Sequence, residues 1–180
     1  MTEVYLRRLT RWQADQQREA VADLHAAAYH RGTGREFHDR RLFLDRFEDH
    51  VQRPGFDMVI AGGTGLAGCV YGFPPDRDGE FWKGFRGGVS PEVEELTALG
   101  RLFTVAELMV LPAYRRNRVA TRLQTHLLAR TTAQLAAVLL EPSNTAARTA
   151  YRSWGWTKLG ELSPVDGRPE LEAWSRALGV

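Results

Sequence analysis

In Leu111-Pro112-Ala113-Tyr114-Arg115-Arg116-Asn117-Arg118-Val119-Ala120 an apolar strand-like run passes directly into the start of a helix. Upstream, Phe103 to Leu111 reads as a strand that Pro112 stops. Downstream, Arg118 to Arg130 reads as a helix with the apolar stripe Val119, Leu123 and Leu127. The run that follows, Leu135 to Leu140, is almost wholly apolar, as a strand covered on both faces would be. Strand, helix and strand in this order form a crossover, and a crossover requires parallel neighbours.

Working outward, Met58 to Ala61 and Leu66 to Phe73 are apolar runs joined by Gly62-Gly63-Thr64-Gly65, the composition of an antiparallel hairpin turn. Val4 to Thr10 reads as a first strand. Asp15 stands as an N-cap for a helix to about Tyr29, and a Gly-containing break covers Arg31 to Arg35. Phe43, Phe47 and Val51 place a second helix over Asp39 to Val51. Pro74 to Gly100 is a long connection in which Ser90-Pro91-Glu92 opens a short helix. Asn144 caps a helix ending near Gly155, and Trp156 to Leu162 with Leu171 to Ala177 supply the last strands. The expected fold is α/β (α+β): a mixed, mostly antiparallel sheet of about seven strands with about four helices.

With 180 residues the chain has the length of one domain, and 1–180 is read as one. Hydrophobic residues at 43% and charged residues at 26% exclude a disordered tail, a collagen-like repeat and a disulfide miniprotein. The formal charge of +2 is too small to draw the whole molecule onto nucleic acid or anionic lipid. The single cysteine, Cys69, permits no internal disulfide and fits a reducing cytoplasm. No signal-peptide core or membrane-length apolar run is evident, so a soluble cytoplasmic protein is expected.

Arg115, Arg116 and Arg118 crowd the helix start. That end of a helix carries unpaired N–H groups and roughly half a positive charge, so cations there are unfavourable. An anion seated on those N–H groups reverses the sign, and phosphate or pyrophosphate is the common guest. The alternative is a solvated turn whose arginines point outward.

A second segment, Asn144-Thr145-Ala146-Ala147-Arg148-Thr149-Ala150-Tyr151-Arg152-Ser153-Trp154-Gly155-Trp156, places Ala147 and Tyr151 on one helix face. Alone, Tyr151 reads as a core aromatic. Together the two segments resemble the GNAT superfamily of acyl-CoA-dependent N-acyltransferases. Its pattern Arg/Gln-x-x-Gly-x-Gly/Ala is matched by Arg115-Arg116-Asn117-Arg118-Val119-Ala120. Its later pattern Asn-x-x-Ala-x-x-x-Tyr, closed by Gly and an aromatic, is matched by Asn144, Ala147, Tyr151, Gly155 and Trp156. The order of elements fits as well, most clearly from Phe103 to Gly160. One departure stands out: the first glycine of the pattern is Arg118. Glycine there lets backbone approach a phosphate with no Cβ in the way. Arg118 either narrows that cradle or turns outward and adds a charge-assisted bond.

The resemblance implies that Arg115, Arg116, Asn117, Arg118, Val119, Ala120 and Thr121 hold the pyrophosphate of acetyl-CoA, the cosubstrate. It also implies that backbone at Met109, Val110 and Leu111 aligns the pantetheine arm and polarises the thioester carbonyl. Asn144 would lie near the pantetheine, and Tyr151 would protonate the departing thiolate, a role suited to a phenol of pKa near 10. For the base, the strand offers Glu107, on the same face as Met109. Glu107 could equally anchor a cationic amine or pair with an arginine. The implied reaction is direct attack by a primary amine, without a covalent enzyme intermediate. A homodimer would be in keeping with the family.

The other candidates read as structural. His25, His30, His38, His50 and His126 lack zinc-ligand spacing, so no metal is expected. Cys69 reads as a buried inert thiol. Phe81, Trp82 and Phe85 either form a lid or oligomer contact or simply pack. A catalytically silent CoA-binding module competes with the enzyme, encouraged by Arg118. A nucleic-acid site on Arg115, Arg116, Arg118 and Arg122 is disfavoured by the low net charge and the lack of interleaved aromatics. Asp76, Asp78, Glu80, Glu92, Glu94 and Glu95 hint at a cationic acceptor, but its identity carries no readable motif.

Overall fold

A computed structural model describes residues 3–29, 36–163 and 169–179. The elements are β1 (Tyr5–Leu9), α1 (Arg11–Gln16), α2 (Arg18–Ala28), α3 (Glu36–Val51), β2 (Asp57–Gly62), β3 (Leu66–Phe73), α4 (Pro91–Ala98), β4 (Leu102–Val110), α5 (Val119–Leu128), β5 (Leu135–Leu140), α6 (Thr145–Ser153), β6 (Thr157–Leu162) and β7 (Leu171–Ala177). Seven strands form one mixed sheet in the order β1-β2-β3-β4-β5-β7-β6, so the expected architecture holds. The described residues carry six α-helices rather than about four. The proposed break at Arg31 to Arg35, and His30, lie outside the described residues.

The extra helices have identifiable causes. Asp15 is not an N-cap. The helix opens earlier, at Thr10, whose hydroxyl accepts the Gln13 N–H at 3.1 Å while Gln13 Oε1 accepts the Thr10 N–H at 2.9 Å. This reciprocal capping box satisfies two donors at once. Asp15 sits inside α1 beside Arg18, and the chain leaves helical geometry at Gln17 before α2 begins. On the long connection, the Ser90 hydroxyl accepts the Val93 N–H and Pro91 fills the first turn, so the short helix expected there forms as α4 and adds to the four main helices.

The chain forms two compact units. The first comprises Met1–Phe73 and Glu107–Arg130. Here β1, β2 and β3 pair antiparallel, with Leu9 opposite Met58 and Val59 opposite Val70. Val119, Leu123 and Leu127 of α5 are buried, as are Phe43, Phe47 and Val51 of α3. Gly68 of β3 is required by close approach: a Cβ there would stand 2.7 Å from the Met109 carbonyl oxygen.

The second unit comprises Pro74–Ala106 and Thr131–Val180. Residues 102–105 of β4 pair parallel with β5, as the crossover demands, and β7 pairs antiparallel with both β5 and β6. Of the two readings left open for the loop aromatics, packing is what is observed. Trp82 is buried with Val93, Leu102, Ala137 and Ala173, and its indole N–H donates to the Thr97 hydroxyl at 2.9 Å. Phe81 and Phe85 lie against the same cluster. Phe85 bridges to Leu162 and covers Gly160, where a Cβ would stand 2.6 Å from its ring.

Candidate active site

The turn from β4 into α5 has unusual backbone geometry. Arg116 and Arg118 have φ of 67° and 58°, the only positive values at non-glycine positions among the described residues. Left-handed backbone costs an L-residue about 1–2 kcal/mol. A left-handed residue followed by a helical one turns successive N–H groups toward one side, forming a concavity suited to anions. The Arg122 N–H returns to the Arg118 carbonyl at 3.0 Å. Among the described residues, the N–H groups of Asn117, Arg118, Val119 and Ala120 have no protein acceptor. Arg116, Asn117 and Arg118 are exposed, and the first turn of α5 holds no acidic side chain. The family pattern thus has its glycine where the chain goes left-handed, so backbone conformation, as well as Cβ clearance, explains that preference.

The other predicted residues of this unit are partly committed. Arg115 donates from Nη2 to the Ala28 carbonyl at 2.8 Å and from Nε to the Val110 carbonyl at 3.2 Å. Its guanidinium therefore ties the end of α2 to the end of β4. The Leu111 N–H donates to the Ala67 carbonyl at 2.8 Å, and Met109 is buried. Arg122 reaches the Val4 carbonyl at 3.1 Å.

Three residues before the end of β4, the Glu107 carboxylate accepts from Arg46 Nη2 at 2.8 Å, its side chain 17% exposed against 45% for Arg46. Burial raises the Glu107 carboxyl above its ordinary range, and Arg46 partly offsets this. Arg46 also acts electrostatically on the Tyr71 phenol, whose oxygen lies 3.1 Å from His50 Nδ1. Burial and then Arg46 lower His25 and His50 to about 4, so both are neutral at physiological pH. Burial, reinforced by Glu107, pushes the Tyr29, Tyr71 and Cys69 groups far up. Sequence reasoning missed Arg46, His50 and Tyr71. The available signal was the four-residue spacing of Arg46 and His50 on one helix face, beside the Phe43–Phe47 stripe.

Asn144 and Tyr151 belong to the second unit. The Asn144 side chain caps α6 by accepting the Ala147 N–H at 3.1 Å. Tyr151 is 4% exposed, with its ring edge-to-face against Trp154 and Trp156. Gly155 has φ of 84°, the left-handed helix exit that the closing glycine supplies. No group of three or more metal-ligating side chains occurs among the described residues.

Residues 18–156 match the model of the acetyltransferase (GNAT) family. The chain belongs to that family. No curated protein matches its sequence significantly. Solved GNAT-type structures share its fold at low identity. The ribosomal-protein-S18-alanine N-acetyltransferase of Escherichia coli is 13% identical with a TM-score of 0.64, over 99% of this chain and 96% of that one. The PaiA N-acetyltransferase of Thermoplasma acidophilum, in complex with coenzyme A, is 9% identical with a TM-score of 0.63, over 98% and 100%. An aminoglycoside 6'-acetyltransferase of type Ii is 14% identical with a TM-score of 0.64, over 96% of each chain. This GNAT-family chain therefore carries an N-acetyltransferase domain.

Two outcomes follow from this geometry. Arg118→Gly should be more stable than Arg118→Ala by about 1 kcal/mol in urea unfolding, because only glycine relieves the left-handed strain. Equal stabilities would show that position 118 is not held left-handed. Because folded His25 and His50 bind protons only near about pH 4, the unfolded chain takes up more protons below its ordinary histidine value of roughly 6.5. Stability should therefore fall as pH drops from roughly 6.5 toward 4. Glu107, raised by burial, acts in the opposite direction, so the His25→Asn, His50→Gln double variant isolates the effect. Its urea midpoint should depend less steeply on pH than that of the parent chain.

Proposed function

We propose that residues 1–180 act as one acyltransferase domain that moves the acetyl group of acetyl-CoA to a primary amine by direct attack. The observation that carries this reading is the cradle of unpaired N–H groups at Asn117 to Ala120, ringed by exposed Arg116 and Arg118. A pyrophosphate is dianionic, fits such a concavity, and removes the cost of cations at a helix start. Arg116, Asn117, Arg118, Val119, Ala120 and Thr121 would hold it. Arg115 would contribute by fixing the cradle through its two carbonyl contacts. Met109, Val110 and Leu111 would align the pantetheine arm, and Asn144 would lie near it.

In this mechanism Glu107 takes one proton from the acceptor ammonium. The freed nitrogen pair forms the C–N bond as the C–S bond breaks, its electron pair passing to sulfur. Tyr151 gives the thiolate a proton, and the extra proton on the new amide nitrogen restores the phenol. The balance is ammonium plus acetyl-CoA to amide, CoA thiol and one proton, released through Glu107. Holding both reactants supplies much of the acceleration. The cytoplasm is the proposed setting, in keeping with the buried, unpaired Cys69. Among the described residues no helix is long and apolar enough to cross a membrane.

Acetyl-CoA at a hundred times its dissociation constant should stabilise the chain by roughly 2.7 kcal/mol, or roughly 5 to 10 °C of melting temperature. No shift with either acetyl-CoA or CoA would remove the proposal. A screen of diverse amines, reading free thiol, identifies the acceptor. Tyr151→Phe should keep the thermal shift and slow thiol release with the accepted amine. A thermal shift without turnover across the whole screen would identify a CoA-binding module instead.

A further inference from the structure

Two contacting pairs, His50 with Tyr71 and Arg46 with Glu107, link α3 to β3 and to β4 within the first unit, and none of the four residues belongs to the motifs that mark the family. The Arg46 guanidinium stands 5.4 Å from the Phe43 ring centroid and donates to the Glu107 carboxylate at 2.8 Å. The Tyr71 oxygen is fixed from behind by His50 Nδ1. The groups that interact electrostatically with Glu107 in this unit are Arg46 from α3, Cys69 and Tyr71 from β3, and Tyr29 just past the end of α2, with Arg115 acting on Tyr29. Asp49 and Arg53 act on His50. Cys69 and both tyrosines are uncharged at neutral pH, so Arg46 is the cation in contact with the carboxylate. A partly buried carboxylate is held ionised by a paired charge in fixed geometry.

We propose that Arg46 is a positioning residue for acyl transfer: paired with Glu107 at 2.8 Å, it orients that carboxylate and keeps it in the proton-accepting form. The inference rests on the assignment of Glu107 as the base. An incoming ammonium meets a carboxylate that is already charged and oriented. It must also share that carboxylate with a guanidinium, so Arg46 tempers the affinity for acceptors that carry several positive charges.

The test is a titration of the full chain labelled with 13C at the glutamate carboxyl carbons, followed by NMR, with Glu107→Gln identifying the Glu107 signal. Arg46→Met should raise the midpoint of that signal by roughly 1 to 3 pH units, and Arg46→Lys should leave it near the parent value. If the Met variant does not fold, Arg46→Gln makes the same comparison. With an amine found by the thiol-release screen, the acid limb of kcat/KM should move upward by the same amount in the neutral variant. An unchanged midpoint overturns the proposal, as does a shifted midpoint with an unmoved acid limb, which marks a merely structural ion pair. If no amine is ever acetylated, the enzyme reading fails, while the titration still reports whether Arg46 controls the ionisation of Glu107.

Discussion

Everything about the candidate site depends on one unmet demand for hydrogen bonds. A helix leaves its first N–H groups without partners, and most helices supply a side-chain cap. Thr10, Ser90 and Asn144 do so for α1, α4 and α6. The start of α5 has none, because its N-cap is a left-handed arginine whose side chain makes no capping bond. The chain accepts two strained residues to present these donors together, and strain of this kind persists where the surroundings over-determine it. An anionic guest resolves both the missing cap and the crowding of cations.

Much of the fold was legible because its signals are local. The stripe at Val119, Leu123 and Leu127 is buried, the apolar run Leu135–Leu140 is a covered strand, and the Gly-rich turn joins an antiparallel pair. The Thr10–Gln13 capping box is equally local, but Asp15 matches the N-cap pattern as well as Thr10 does, so composition alone does not separate the two. The long connection was harder to read. Trp82 is a core residue there, and Phe85 packs against the core, because of partners far along the chain, including Leu162 and Ala173, and periodicity within the segment cannot reveal such partners.

The site divided along the same line. The motif residues around Arg118 and Tyr151 could be read from spacing because each belongs to a single helix start or helix face. Arg46, His50 and Tyr71 could not, because their chemistry arises from β3 meeting α3 across the fold. Arg115 shows the reverse. It matches the motif, yet its guanidinium is engaged by the carbonyls of Ala28 and Val110, which no sequence spacing discloses.

That double tether has a mechanical consequence. The carbonyl at the tail of α2 and the strained corner ahead of α5 are fastened to one rigid, planar side chain, so they form a single lever. Any slackening at the helix tail is transmitted to the phosphate-sized hollow without passing through the apolar core. Stiffness of that hollow is then set at a peptide group 87 residues earlier in the chain.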